Sequence, residues 1–124
     1  MTTMDKPIIL SLPPSDNRRF IIARYGRRLI LSQEHRDYQQ INKYEAKRQF
    51  AKELITPTYE NQLHIHFKVF LKDKHRDGSN IEKVLKDSLT GAIYDDDKWV
   101  CMHCDGIVID PKLPRVELTI TYSQ

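Results

Sequence analysis

The stretch from His75 to Val100 (HRDGSNIEKVLKDSLTGAIYDDDKWV) decides the fold, because it predicts an amphipathic helix that leads directly into a strand. Apolar residues recur there at helical spacing and predict a helix from about Asn80 to Leu89. Gly91 is suited to end that helix. The apolar stripe expected to face the core consists of Ile81, Val84, Leu85 and Leu89.

The segments on either side predict strands, a basic ribbon and one further helix. Alternating apolar residues predict strands over residues 62–72, 99–110 and 115–123, the second interrupted near Asp105-Gly106, and a short apolar run predicts an inner strand over 7–12. Residues 18–28 are expected to form a ribbon or loop, with a short strand at 29–31. Ser32 is suited to cap a helix running to about Leu54. The buried positions expected in that helix are Tyr38, Ile41, Tyr44, Ala46 and Phe50. This order predicts an α/β fold: residues 1–124 as a single domain, with a mixed β-sheet packed against two main helices.

The composition fits one cytoplasmic domain with an uneven charge. Hydrophobic residues make up 40% and charged residues 30% of the 124 residues. No stretch approaches the ~20 apolar residues of a membrane helix, and the N-terminus lacks the apolar core of a signal peptide. Residues 1–53 carry 11 Lys/Arg against 6 Asp/Glu, whereas residues 54–124 carry 9 against 11. A basic half beside an acidic half suits a polyanionic substrate; random scatter of surface charge explains it equally well.

Acidic residues flank the predicted second helix at both ends. Asp77 precedes it, the run from Asp95 to Asp97 follows it, and Lys83 lies one turn inside it. Carboxylates brought together in this way hold hard divalent cations such as Mg²⁺, which lower the pKa of an attacking water. The lysine is suited to stabilise charge on a phosphate. The pattern therefore suggests metal-assisted phosphodiester hydrolysis, although a polar turn and a solvated lysine would give the same residues.

Cys101 and Cys104 form a C-x-x-C pair that encloses His103. Such a pair is compatible with structural cysteines, with a redox motif, or with a zinc site completed by His64 and His66. The segment reads as a strand, in which residues three apart point to opposite faces. Structural cysteines are therefore favoured.

Six motifs, in order, resemble the RusA family of Holliday junction resolvases. They are PPSDN (residues 13–17), Ser32-Gln33-Glu34, Asp77-Gly78-Ser79-Asn80 with Lys83, Asp87-Ser88-Leu89 with Gly91, Tyr94 with Asp96-Asp97-Lys98-Trp99-Val100, and the closing strand Arg115–Thr121. Together they cover most of the chain.

The resemblance implies a homodimeric, Mg²⁺-dependent endodeoxyribonuclease that resolves four-way DNA junctions by paired symmetric nicks, in recombination and repair, with no small-molecule substrate. Its implied catalytic residues are Asp77, Lys83 and Asp97, and its implied metal ligands are Asp77, Asp96 and Asp97. Residues expected to contact DNA are Arg18, Arg19, Phe20 and Arg76, while Ser79 and Asn80 are expected to support the site.

Ser79 stands where the family usually carries a second aspartate. A hydroxyl is a poorer Mg²⁺ ligand than a carboxylate, and Ser79 with Glu82 also fits a helix capping box. Asp96 or Asp73 would have to replace the missing charge, or a water held by Ser79 would have to fill the gap. Otherwise the protein binds junctions and cuts them weakly or not at all.

Overall fold

The structure, a computed structural model, describes residues 2–3, 6–13, 20–22, 29–31, 33–74 and 81–122. Its elements in chain order are β1 (Thr2–Thr3), β2 (Ile8–Leu10), β3 (Phe20–Ile22), β4 (Leu29–Leu31), α1 (Gln33–Phe50), β5 (Leu63–Leu71), α2 (Ile81–Leu89), β6 (Val100–Ile109) and β7 (Arg115–Tyr122). The expected order of strand, ribbon, helix, strand, helix and two strands is confirmed; β1 was not anticipated.

The main sheet is mixed, as predicted. β7 pairs antiparallel with β5 on one side and with both β1 and β2 on the other, while β5 pairs in parallel with β6. Leu63 lies opposite Val100 and Leu71 lies opposite Ile109, so β5 and β6 begin at the same edge of the sheet. Because parallel neighbours need a crossover, α2 and its two connections carry the chain back along the sheet from the end of β5 to the start of β6.

The core lies between one face of the sheet and the two helices. The alternating residues of β5 from Leu63 to Leu71 are all buried, and so are the predicted apolar positions of α2. With the exception of Val84, these side chains belong to one cluster together with Ala46 and Phe50 of α1. The two-residue alternation of β5 and the 3.6-residue spacing of α2 therefore predicted the same core, one from the sheet and the other from the helix. Neither of the helices within the described ranges is long and apolar enough to cross a membrane.

α1 differs from the prediction at its end and on one face. It ends at Phe50 rather than near Leu54, because Ala51 adopts a left-handed φ of 54° and donates its N–H to the Lys47 carbonyl at 3.0 Å. Tyr38, Ala46 and Phe50 are buried as expected. The prediction was wrong for Ile41 and Tyr44, which are 59% and 66% exposed.

Asn42 occupies the buried position on α1 that the sequence assigned to its apolar neighbours. It is 1% exposed, and the Ser11 hydroxyl donates to its Oδ1 at 3.4 Å. Tyr38, Asn42, Ala46 and Phe50 form an i, i+4 row, so Asn42 takes the buried place that was predicted for Ile41 and Tyr44. The sequence missed this because an asparagine on a polar helix carries no burial signal.

Two local predictions about strands hold. Phe20 to Ile22 pairs antiparallel with Leu29 to Leu31, which confirms a ribbon separate from the main sheet. The β5–β6 register shifts between Phe67 and Lys68, so that Asp105 is skipped and Lys68 lies opposite Gly106. That irregularity is the interruption expected at Asp105-Gly106, where a glycine marks a bulge.

Candidate active site

The carboxylate loop, residues 90–99, is fixed to the end of α2. Gly91 has a φ of 87°, the left-handed conformation that glycine adopts without strain, and it donates its N–H to the Tyr94 carbonyl at 2.7 Å. Ala92 and Ile93 both donate to the Leu89 carbonyl. Ala92, Ile93 and Tyr94 are fully buried. The loop is therefore anchored by its own apolar residues, and the predicted stop at Gly91 is confirmed.

Asp95 holds the carboxylate loop against residues 55–56, which follow α1. Its N–H donates to the Ile55 carbonyl at 3.1 Å, and Ile55 donates in turn to the Ile93 carbonyl at 2.9 Å. The Thr56 hydroxyl donates to Asp95 Oδ2 at 2.7 Å. The Thr56 bond engages one oxygen of the exposed Asp95 carboxylate, and the main-chain bonds hold the residue in place, which gives Asp95 a structural role.

The other two aspartates differ in how their carboxylates are engaged. Asp96 is exposed, and its Oδ1 accepts the Lys98 N–H at 3.0 Å, which closes a turn. Asp97 is half-buried; its main-chain carbonyl accepts the Val100 N–H at 3.3 Å, but no described residue donates to its carboxylate. Of the three adjacent aspartates, Asp97 is thus the one whose carboxylate is left to bind something else, a ranking that the sequence alone could not provide.

Tyr94 connects Asp97 to α2. Its ring is fully buried, and its hydroxyl donates to the Lys86 carbonyl. Burial raises the pKa of the Tyr94 phenol well above its usual range; a hydrogen bond involving Thr90 opposes that rise, and the negative charges of Asp97 and Asp87 add to it. Both carboxylates thus lie close enough to the Tyr94 phenol to act on it electrostatically.

Lys83 lies in the first turn of α2, exposed and outside the buried stripe. It precedes Asp87 by four residues, so the two side chains occupy the same face of the helix, about 6 Å apart along its axis. The structure therefore places Lys83 and Asp87 on one exposed face of α2, the helix to which Tyr94 ties the carboxylate loop. Asp87 was not singled out as a functional residue, although its i+4 spacing from Lys83 was the available signal.

Several predicted residues lie outside the described part of the chain. They are Asp77, Arg76, Ser79, Asn80, Arg18 and Arg19; Phe20 lies in β3, where the structure describes the main chain alone. The meeting of Asp77 with Asp97 is accordingly still a prediction. Within the described ranges, no three His, Cys, Asp or Glu side chains are grouped so that they could hold a metal ion.

The two cysteines do not form a common site. Both are free thiols: Cys101 donates to Gln62 Oε1 at 3.4 Å, and Cys104 donates to the Gly106 carbonyl at 3.8 Å. Cys101 lies opposite His64 and Cys104 lies opposite Phe67, and these two residues of β5 point to opposite faces of the sheet. The geometry favours the structural interpretation of the C-x-x-C pair over the redox one.

Comparison with known proteins gives one finding. A search of curated proteins returned no match. A protein-family model described as Endodeoxyribonuclease RusA matches residues 11–121, nearly the whole chain, and spans α1, α2 and the carboxylate loop. The match confirms the resemblance drawn from the six sequence motifs, and this chain belongs to the RusA family of endodeoxyribonucleases.

Proposed function

We propose that this chain is a Mg²⁺-dependent endonuclease that resolves four-way DNA junctions by paired symmetric nicks. Residues 1–124 form one domain in this proposal, and two copies pair as a homodimer, because a two-fold axis presents the same chemistry twice. Family membership supports the endonuclease activity. The single structural observation that carries the proposal is the anchored loop, in which no described residue donates a hydrogen bond to the Asp97 carboxylate.

The donor chemistry around α2 fits a hard divalent cation. Mg²⁺ is bound by one or two carboxylates plus water and substrate oxygens, and Asp77 with Asp97 would supply the carboxylates, with Asp96 as a further ligand. A bound Mg²⁺ would lower the pKa of the attacking water and stabilise the leaving oxygen. The half-buried position of Asp97 keeps its charge in a less polar setting than bulk water, which strengthens its attraction to a cation.

Chain length permits Asp77 to reach Asp97. β5 covers about 30 Å, whereas the nine residues of α2 cover about 13 Å. Residues 72–80 connect the two elements and span at most about 30 Å when extended. Asp77 lies six residues beyond Leu71, a reach of at most about 20 Å. Because that reach exceeds the ~17 Å that α2 leaves uncovered, Asp77 can lie within the half of the sheet that carries the carboxylate loop.

Lys83 would act on the substrate rather than on the protein. Its ammonium group is exposed on the same face of α2 as Asp87, so it can approach a phosphodiester oxygen without breaking an internal ion pair with any described residue. A cation placed there stabilises the charge that develops on the phosphate during attack. The basic ribbon around Arg18, Arg19 and Phe20, together with Arg76, would hold the junction through phosphate contacts and stacking.

Ser79 motivates a second candidate function, a protein that binds junctions without cutting them. Cleavage is favoured, because the family to which the chain belongs is one of endodeoxyribonucleases. The alternative predicts salt-sensitive junction binding with no Mg²⁺-dependent nicking. Efficient nicking by the unmodified protein would exclude it.

The test compares Asp97→Asn with Asp95→Asn, which make the same charge change two residues apart. Nicking of a synthetic four-way junction and of a linear duplex is measured with and without Mg²⁺. We expect Asp97→Asn to lower the junction cleavage rate by about 10²-fold or more while junction binding persists, because phosphate contacts are retained. Asp95→Asn is expected to keep most of the activity, since that carboxylate already serves Thr56. Normal cleavage by Asp97→Asn would refute the assignment.

A further inference from the structure

A cluster of three histidines lies on the sheet face opposite the core. His64 and His66 belong to β5 and alternate with its buried residues, and His66 lies opposite His103 of β6. His64 Nδ1 and His103 Nε2 are 2.9 Å apart, with ring planes inclined by 22°. His103 is exposed and His64 is half-buried, so solvent has access to the pair.

The paired nitrogens have two chemical uses. With one proton between them, they form an imidazole–imidazole hydrogen bond, which needs a single N–H donor and a single bare acceptor. When that proton sits instead on the other nitrogen of its ring, both facing nitrogens present lone pairs to the same small space. Neutral imidazole nitrogen is the commonest metal ligand that a protein offers. The 2.9 Å between His64 Nδ1 and His103 Nε2 is therefore compatible with either a shared proton or a shared metal ion.

We propose that His64 and His103 form a two-imidazole site for one transition-metal ion of the Zn²⁺, Ni²⁺ or Cu²⁺ class, with water completing the coordination. Zn–N bonds of 2.0–2.1 Å at tetrahedral angles place two ligand nitrogens about 3.3 Å apart. The pair has to open by about 0.4 Å, and small side-chain rotations on an accessible face of the sheet suffice for this.

The neighbouring residues support the rings without completing the shell. The His66 ring stacks on His103 with centroids 4.7 Å apart, and His66 Nδ1 lies 3.5 Å from the Asp105 carboxylate. Stacking of this kind restrains the His103 ring. The Cys101 thiol donates its hydrogen bond to Gln62. In the described part of the chain no third ligand completes the group. The site is thus an open chelate, distinct from a closed structural zinc centre.

Ligand type separates this site from the proposed nuclease centre. Imidazole favours Zn²⁺, Ni²⁺ and Cu²⁺, whereas carboxylate and water favour Mg²⁺. The ion would bridge β5 and β6 close to Val100, where β6 leaves the carboxylate loop. Bound metal should therefore stabilise the paired strands, and the proposal does not rest on the nuclease function.

The test is a titration of the untagged, full-length protein with Ni²⁺ or Zn²⁺ by calorimetry, in excess Mg²⁺ so that carboxylate sites are occupied. We expect one ion per chain and a higher thermal midpoint in its presence. His64→Ala and His103→Ala should each weaken binding by about 100-fold, because each removes the intramolecular second ligand. His66→Ala is the matched control, since it removes an imidazole from the same face and is expected to change affinity far less.

A second measurement uses the unmodified protein, so its result does not depend on whether the variants fold. In the unmodified protein, paramagnetic Ni²⁺ should first broaden the ring proton resonances of His64 and His103. Three results would overturn the proposal: no saturable binding, binding that survives both substitutions, or a loss with His66→Ala as large as with His64→Ala.

Discussion

Removal of the Tyr94 hydroxyl tests whether the carboxylate loop is tied to α2 as the structure indicates. In Tyr94→Phe, the buried Lys86 carbonyl loses its principal side-chain donor and keeps the Thr90 hydroxyl, at 3.5 Å, as a weak one. A typical hydrogen bond contributes about 1 kcal/mol, and a fully orphaned buried group costs up to about 3 kcal/mol. Because Thr90 remains, we expect a loss of about 1 kcal/mol.

The expected shift in melting temperature follows from the chain length. Unfolding entropy near 60 °C is about 2.1 cal/mol/K per residue, or about 260 cal/mol/K for this chain, so 1 kcal/mol corresponds to about 4 °C. Circular dichroism during thermal and urea unfolding measures both quantities. Tyr44→Phe is the matched control, since its ring is exposed and its substitution should leave stability within about 0.5 kcal/mol.

Alkaline pH provides an independent check on the same residue. The pKa of Tyr94 is raised in the folded protein, whereas a tyrosine in the unfolded chain ionises near pH 10. The folded state therefore holds the proton more tightly, so this contribution to stability is fully present below about pH 10 and is lost as pH rises further. Tyr94→Phe should flatten that alkaline decline relative to Tyr44→Phe. Equal declines in both variants, or an unchanged midpoint for Tyr94→Phe at neutral pH, would refute the reasoning.

Two further substitutions test the end of α1 and the departure from the family pattern. Ala51→Gly should stabilise the protein by about 0.5–1 kcal/mol in urea unfolding, because the left-handed φ of 54° strains alanine by more than glycine loses in chain entropy; a destabilised variant would contradict the helix ending there. Ser79→Asp restores the carboxylate of the family motif and should lower the Mg²⁺ concentration needed for half-maximal junction nicking. An unchanged Mg²⁺ dependence would show that position 79 does not act on the metal.

Periodicity was enough to predict most of the fold. The alternation in β5 and the 3.6-residue spacing in α2 identified the buried faces, because burial of apolar side chains is the dominant constraint on both elements. The same approach failed on α1, where a thin apolar stripe on a charged helix did not specify a face. Packing against β2 and α2 decided that Asn42 faces inward while Ile41 and Tyr44 face outward.

The local sequence also showed where in the chain the candidate active site lies. It did not show which of its carboxylates are free to bind a metal or substrate. The adjacent aspartates after α2 are chemically identical in the sequence. Their hydrogen bonds separate them, since the distant Thr56 engages Asp95 while a local turn engages Asp96. The hydrogen bond from the buried Tyr94 to the Lys86 carbonyl brings the loop back onto α2, the helix that carries Asp87.

The sequence by itself determined the features that depend on residues close together in the chain. These are the helices, the strands, the turn at Gly91 and the motifs that identify the family. What only the tertiary structure decided was which polar groups remain without internal partners. Among the described residues, hydrogen bonds between positions about forty apart engage Asp95 and pair His64 with His103, whereas none reaches the Asp97 carboxylate. Such hydrogen bonds depend on how the elements pack against one another, and spacing along the chain does not predict them.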